Sequence, residues 1–428
     1  MLHILHPAPP SPRMRFAAKL LFSELLAMEW TFVTETTGGQ PFIQYGGEPK
    51  AGALLHIPDS GFLQKTTLEP EAMPQDDLLA AAFWWASGYA FQAMPRYDQH
   101  GRYDFASYPQ IAEGLHRQPQ VHVISNFLGK TLKPHFPINK RPFSTEYTFD
   151  IDNPWLFKHK PLHVSLGSLG KKLMGGEMSL LAEQLAVLLG KRDPNDVFDE
   201  LFRRFPPEST RLFFLIERRH PNDTRHSWRS PAMRRLIKRA QSEGFGIGIH
   251  PSYTTFLQPE VLKEEVERLS EIIGEPIVHS RMHFLRYRQP ETFRALIAAG
   301  IKHDYTTGLY QDVGFPYGMT QPFPWFDLEK NEETELMLHP TSLMDRTLLS
   351  YLKLTPEAAM QLSEDVKNTI QQFGGTFIPL YHNELLSDFG EWKGWPGLAN
   401  CEIYIGLSLF SSQSPQEFRP RLWFPIYR

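Results

Sequence analysis

One cysteine in 428 residues, Cys401, excludes an intrachain disulfide and any cysteine-built zinc site. No apolar run is long enough to span a bilayer. The densest, Leu78–Ala86 (LLAAAFWWA), falls far short of the ~20 residues a spanning helix needs. The opening MLHILHPAPPSPRMRF lacks the basic segment followed by about 7–15 apolar residues that marks a secretory leader, so a cytoplasmic location is expected. An excess of either charge is also missing. The 44 Lys and Arg against 48 Asp and Glu leave a net charge of −4, which argues against a nucleic-acid binder or a polybasic membrane protein. There is no internal repeat and no low-complexity tract. With 41% hydrophobic residues the chain is not disordered.

What is present is length, proline and aromatic rings. At roughly 100–200 residues per domain, 428 residues suggest two to four domains, or one large domain with an appendage. The 36 prolines are about 8% of the chain against a usual ~5%. With 13% aromatics they suggest ordered, ring-lined loops, a texture common in carbohydrate-handling proteins. The first ~140 residues predict a smaller α+β domain, residues 1–140. They hold a helix over Met14–Met28, short strands at Trp30–Val33, Pro41–Tyr45 and Ala53–Ile57, and a buried helix over Asp76–Tyr89. The loop RYDQHGRYD (Arg96–Asp104) follows, and the Pro-rich Lys133–Pro142 reads as a linker.

From residue 141 to 428 the pattern changes. Seven strand-like runs end near Asp150, Ile216, Ile249, Ser280, His303, Leu338 and Leu380. Helical stretches over Ala232–Glu243, Pro259–Gly274, Pro290–Ala299 and Thr355–Phe373 alternate with them. They open at Pro, Ser or Thr, and three stop at Gly244, Gly274 and Gly300. Such alternation implies a parallel sheet, open or closed into a barrel. Trp155–Phe205 reads as an insertion with a helix over Met178–Leu189.

In parallel β/α folds the strand ends converge on one mouth, where function gathers. Six of the seven ends carry ionisable residues of the kinds a metal-assisted hydrolase uses. Asp150 and Asp152 stand two apart on an extended chain and so share a side. Two such carboxylates repel unless a cation lies between them, which suits one metal ligand and one general base. Alone, the pair would more simply cap the loop at Asn153. His250 and His283 follow the third and fourth strands. Each alone would more simply be a hydrogen-bonded core histidine, but with the aspartates they complete an Asp/His/His donor set suited to zinc or another divalent first-row ion. His382 is placed to protonate a leaving amine, and His339 is a weaker candidate. Arg281 would pair with the base carboxylate and hold it ionised, and Asp304 would orient and tune a catalytic histidine.

These residues, from about Arg141 to about Glu391, resemble the NodB-type polysaccharide deacetylases, carbohydrate esterase family four. The resemblance implies a distorted (β/α)7 barrel, a divalent metal and hydrolysis of an N-acetyl group on a sugar or glycan. TFDID (Thr148–Asp152) is similar to the family's first motif, with Asp150 as base and Asp152 on the metal. His250 fits the second motif, HxxxH, but Thr254 stands where its second histidine belongs. Arg281, Asp304 and His382 fit the third, fourth and fifth, His382 as the catalytic histidine. FDIDNPW, GIHPSY, SRMHFLR, DYTTGL, LMD (Leu343–Asp345) and the upstream YDQHGRYD further resemble a bacterial subfamily with an extra N-terminal domain. There the Arg-x-His segment recurs, which makes His283 the proposed third ligand. A backbone N–H near Ser252–Tyr253 would help hold the oxyanion. Pro316, in GFPYGMTQPF, stands where an arginine is expected. With Thr254 it favours a second reading, a catalytically degenerate deacetylase-fold protein that binds a glycan or glycolipid. A third keeps the enzyme but changes the C–N bond it cuts.

Overall fold

The computed structural model describes residues 1–36, 39–160, 162–224 and 226–400; Cys401 lies outside them. Near the N-terminus β1 (Leu2–Leu5), β2 (Trp30–Val33), β3 (Phe42–Tyr45) and β4 (Leu55–Ile57) form a sheet in the order β2-β1-β3-β4. All its pairings are parallel. The strand β1 (LHIL) was not expected: four residues, all buried, His3 included, are too short a run to mark a strand. The helix Pro12–Ala18 starts at Ser11, whose Oγ accepts from the Met14 N–H at 3.1 Å, and runs on as a wider turn over Lys19–Leu25. The helix Leu78–Ala86 is capped by Asp77, whose Oδ1 accepts from the Ala80 N–H at 3.0 Å.

The remaining strands are β5 (Phe143–Thr145), β6 (Tyr147–Ile151), β7 (Thr210–Phe214), β8 (Gly246–Ile249), β9 (His279–Ser280), β10 (His303–Asp304), β11 (Phe323–Asp327), β12 (Glu332–Leu338), β13 (Leu343–Met344), β14 (Gly375–Phe377) and β15 (Pro379–His382). Nine of them form one sheet, ordered β11-β12-β10-β9-β8-β7-β6-β15-β13, while β5 pairs with β14. Only β11–β12 is antiparallel. All seven expected strands are present, and the architecture is mixed α/β. Parallel neighbours need long crossovers, which the helices Pro231–Ser242, Pro259–Ile273, Glu291–Ala298 and Pro356–Phe373 help to supply. The second of these buries Leu262, Val266, Leu269 and Ile273 and stops at Gly274, whose φ of 80° suits glycine.

Gly248 shows why β8 is glycine-rich: a Cβ there would stand 2.5 Å from the Phe213 ring. The insertion between β6 and β7 holds a hairpin of two helices, Leu162–Met174 and Met178–Leu188, and a third helix, Phe198–Arg204. Gly167 and Gly170 hid the first of these from the sequence reading. The larger of two hydrophobic clusters among the described residues runs through both parts of the chain, with Phe16 and Phe83 each 5.0 Å from the Phe326 ring. Among the described residues no helix is long and apolar enough to cross a membrane.

Candidate functional site

A cavity of about 320 Å³ opens where β6, β8, β9 and β15 end. Asp150, Asp152, His250, His283, His382 and Glu384 line it. One ligand atom each from Asp152, His250 and His283 lie within 4.8 Å of one another. Asp152 Oδ1 is 3.3 Å from His250 Nε2, and its Oδ2 is 3.5 Å from His283 Nε2.

The outer nitrogens explain why both Nε2 atoms are available. His250 Nδ1 is 2.6 Å from the Arg281 carbonyl, which can only accept, so Nδ1 carries the proton and Nε2 keeps its lone pair. His283 Nδ1 lies 3.3 Å from Asp223 Oδ1, the carboxylate–histidine arrangement that orients metal-binding imidazoles. Burial alone would lower the His283 imidazole, but Asp152 and Asp223 raise it to about 9. Burial alone would raise the Asp152 carboxyl, but His283 and His250 hold it well below the usual carboxylate range. A divalent cation answers the same demand for positive charge without charging an imidazole. Asp152 Oδ1 is moreover buried and accepts no hydrogen bond, a costly state that a cation would relieve. One oxygen and two imidazole nitrogens suit zinc.

Two supporting pairs flank this triad. Arg281, fully buried, donates from Nη1 to Asp150 Oδ1 at 2.8 Å, from Nη2 to Thr148 Oγ1 at 2.7 Å and from Nε to the Tyr305 carbonyl at 3.1 Å. His382 Nδ1 donates to Asp345 Oδ1 at 2.7 Å, and its backbone N–H donates to Asp345 Oδ2 at 2.6 Å. Burial pulls the His382 imidazole down, but Asp345 and the nearby Asp152 and Asp150 raise it to about 10.

Some expectations need correcting. Asp304 holds no histidine: it accepts from Ser280 Oγ at 2.7 Å and from the Thr306 N–H and Oγ1 at 2.9 and 2.8 Å. The carboxylate that does hold a cavity histidine is Asp345, on His382. The N–H groups of Ser252 and Tyr253 are not free for an oxyanion, because they donate to Glu265 Oε2 and Asp223 Oδ1 at 2.8 and 2.7 Å. His339 lies off the cavity, stacked 4.0 Å from the Tyr305 ring. Neither Thr254 nor Pro316 lines the cavity. The loop around Pro316 packs instead on the N-terminal part, where the Phe315 N–H donates to the His116 carbonyl at 2.7 Å.

Four contributors were not anticipated: Asp223, Asp345, Glu384 and Arg102. Glu384 Oε1 accepts from Asn153 Nδ2 at 3.2 Å, while its Oε2 is buried without a partner. Arg102 comes from the loop Arg96–Asp104, and its Nε donates to Asp98 Oδ2 at 2.8 Å. The same loop is pinned behind the histidines, with His100 Nδ1 3.0 Å from the Tyr253 hydroxyl and the His100 carbonyl accepting from Arg286 Nε at 2.6 Å. The segments YDQHGRYD and LMD held the signal for Arg102 and Asp345.

A model described as a family of unknown function (DUF7033) matches residues 2–137. No curated protein matches the chain. Among solved structures the chain is similar to an assigned polysaccharide deacetylase from Mycobacterium smegmatis, at 17% identity and a TM-score of 0.38, over 63% of this chain and 87% of that one. Puue allantoinase is similar at 14% identity and a TM-score of 0.37, over 62% and 86%. An assigned polysaccharide deacetylase from Pseudomonas aeruginosa PAO1 is similar at 14% and 0.35, over 57% and 79%.

Proposed function

We propose that the chain is a metal-dependent hydrolase that removes an N-acetyl group from a sugar or glycan. The observation that carries this reading is the convergence of Asp152, His250 and His283 beside two ion-paired groups of opposite role, Asp150–Arg281 and His382–Asp345. Asp152, His250 and His283 would hold the cation, zinc by the donor set. Bound there, it would polarise the acetamide carbonyl and acidify a water. Asp150 takes the proton of the attacking water, with Arg281 as its fixed counter-charge. His382, held by Asp345 with Nε2 toward the cavity side of Asp152 at 3.7 Å, gives a proton to the departing amine. Asp223 and the Arg281 carbonyl keep the two ligand imidazoles in one tautomer. On this reading the described residues from 141 on, 141–400, form a distorted (β/α)7 domain whose expected end at 428 lies outside the described residues, and residues 1–140 form a domain that shapes the cleft through Arg102.

The test is metal content and acetate release together. Protein purified without chelator carries about one divalent ion, and it releases acetate from some member of a panel of N-acetylated sugars. A protein that binds no divalent ion on titration ends the reading. Thr254, in place of an imidazole, favours the second reading of a glycan-binding protein without turnover. Retained metal with glycan binding and no acetate from any substrate supports that one. Ammonia or another amine released from non-sugar amides supports a different C–N bond.

A further inference from the structure

The hairpin Leu162–Met174/Met178–Leu188 turns its apolar side chains outward. Seven of the twelve large hydrophobic side chains exposed among the described residues lie on it or at its end: Leu166, Leu173, Met174, Met178, Leu185, Leu188 and Leu189. Met174 and Leu189 are 88% and 89% exposed. Their spacing places them on faces, not at random. Leu166 and Leu173 are seven apart on one helix, and Met178 and Leu185 are seven apart on the other. In the second helix only Gln184 and Val187 are buried. Gln184 faces the first helix, accepting from Ser168 Oγ at 3.2 Å and from Lys172 Nζ at 2.5 Å. The polar groups thus close the hairpin on itself and leave the leucines and methionines outside.

The same segment is basic in a chain that is acidic overall. Residues 158–193 hold six basic side chains (Lys158, Lys160, Lys171, Lys172, Lys191, Arg192) against Glu177, Glu183 and Asp193, while the whole chain carries −4; Lys171, Lys191 and Arg192 are exposed beside the apolar face, whereas Lys172 turns inward onto Gln184 and the Phe157 ring. Exposed apolar faces flanked by cations are the make-up of a helix that lies in the headgroup layer of an anionic bilayer. At 13 and 11 residues the two helices are too short to cross it, against a need of ~20. A second copy of this chain fits worse, since two such surfaces bring like charges together.

The two feet of the hairpin are tied to each other and to the cavity rim. Asp193 accepts from the N–H groups of Leu156, Phe157 and Lys158 at 2.7, 2.8 and 2.8 Å, which ties its two feet together. Asn195 Nδ2 donates at 3.1 Å to the carbonyl of Asn153, a cavity residue next to Asp152. We propose that the hairpin is a membrane-docking element that seats the open cavity against the surface of a bilayer containing anionic phospholipid. This inference stands independently of the hydrolytic reading.

The test is flotation of the full chain with phosphatidylcholine vesicles, with and without phosphatidylglycerol. The chain floats with the anionic vesicles and much less with the neutral ones. Binding falls at least about tenfold in M174E/L189E, and about fivefold for each positive charge removed, as in K171Q. Both sites are exposed, so the thermal midpoint stays put. Three outcomes overturn the proposal. One is no flotation, or flotation that the variants leave unchanged. Another is a dimer in sedimentation that M174E/L189E dissolves, which makes the face a contact between copies. The third is protection of Met174 and Met178 from oxidation in the free monomer, which makes it a surface covered by the chain itself.

Discussion

Replacing Arg281 by methionine tests whether the buried pair beneath the cavity works by charge. Four acceptors lose a donor in this variant, the fourth being the Thr341 hydroxyl at 3.4 Å, but they do not suffer equally. The Tyr305 carbonyl keeps Thr341 Oγ1 at 3.0 Å, and the Thr148 hydroxyl keeps the Pro379 carbonyl. Asp150 is left as a carboxylate only 2% exposed, lining the same cavity as Asp152 and with His250 Nε2 3.6 Å away. Removing one member of such a pair costs about 3–5 kcal/mol, most of it the stranded charge. Methionine fills much of the arginine stem, so little of the loss is cavity. In R281M/D150N the stranded charge is gone, and stability should return to within about 1–2 kcal/mol of the parent. Urea unfolding of chelator-treated protein measures all four corners of the cycle. If the single and double variants are equally destabilised, within about 0.5 kcal/mol, the arginine acts through its packing 4.6 Å above the Phe213 ring and the charge argument fails.

Asp223→Asn should weaken metal binding about 10–100-fold while leaving the fold intact, read by competition with a chromogenic chelator; unchanged affinity would detach Asp223 from His283. Arg102→Ala should raise KM roughly tenfold with kcat nearly unchanged on any substrate the chain turns over, since the side chain lines the cavity apart from the ion-paired groups; a loss confined to kcat would contradict this. His122 supplies a pH prediction. Burial lowers its imidazole to about 3, and its Nε2 accepts from the Thr320 N–H at 3.1 Å. The unfolded chain takes up a proton near pH 6.5 and the folded chain does not, so stability is lost as pH falls from about 6.5 toward 3. His122→Gln should flatten that slope in acid titrations followed by circular dichroism, and a slope unchanged by the substitution would clear His122 of the effect.

The strand ends were readable because a parallel sheet sends successive strands the same way, so ionisable residues after β6, β8, β9 and β15 had to meet. The sheet register is what the sequence withholds. Ile151 pairs with Phe214, Phe214 with Ile249, Ile249 with Ser280 and Ser280 with Asp304. Asp152, His250 and Arg281 each stand one residue beyond that row. Side chains alternate across a sheet, so Asp304 falls on the opposite face from the ligands and bonds to Ser280 beside it. From the sequence, an aspartate ending a strand looks the same on either face. The opposite error hid Asp223 and Asp345. Asp223 lies in an irregular loop, and Asp345 follows a strand of two residues, so neither has a period to announce it. Both were selected by three-dimensional neighbourhood, each placed to hold the Nδ1 of one histidine. The outward leucines of the hairpin were hidden for a related reason. A helical apolar stripe reads as core whenever its partner is assumed to be the rest of the chain. Only the folded structure shows that Val187 finds that partner and Leu189 does not.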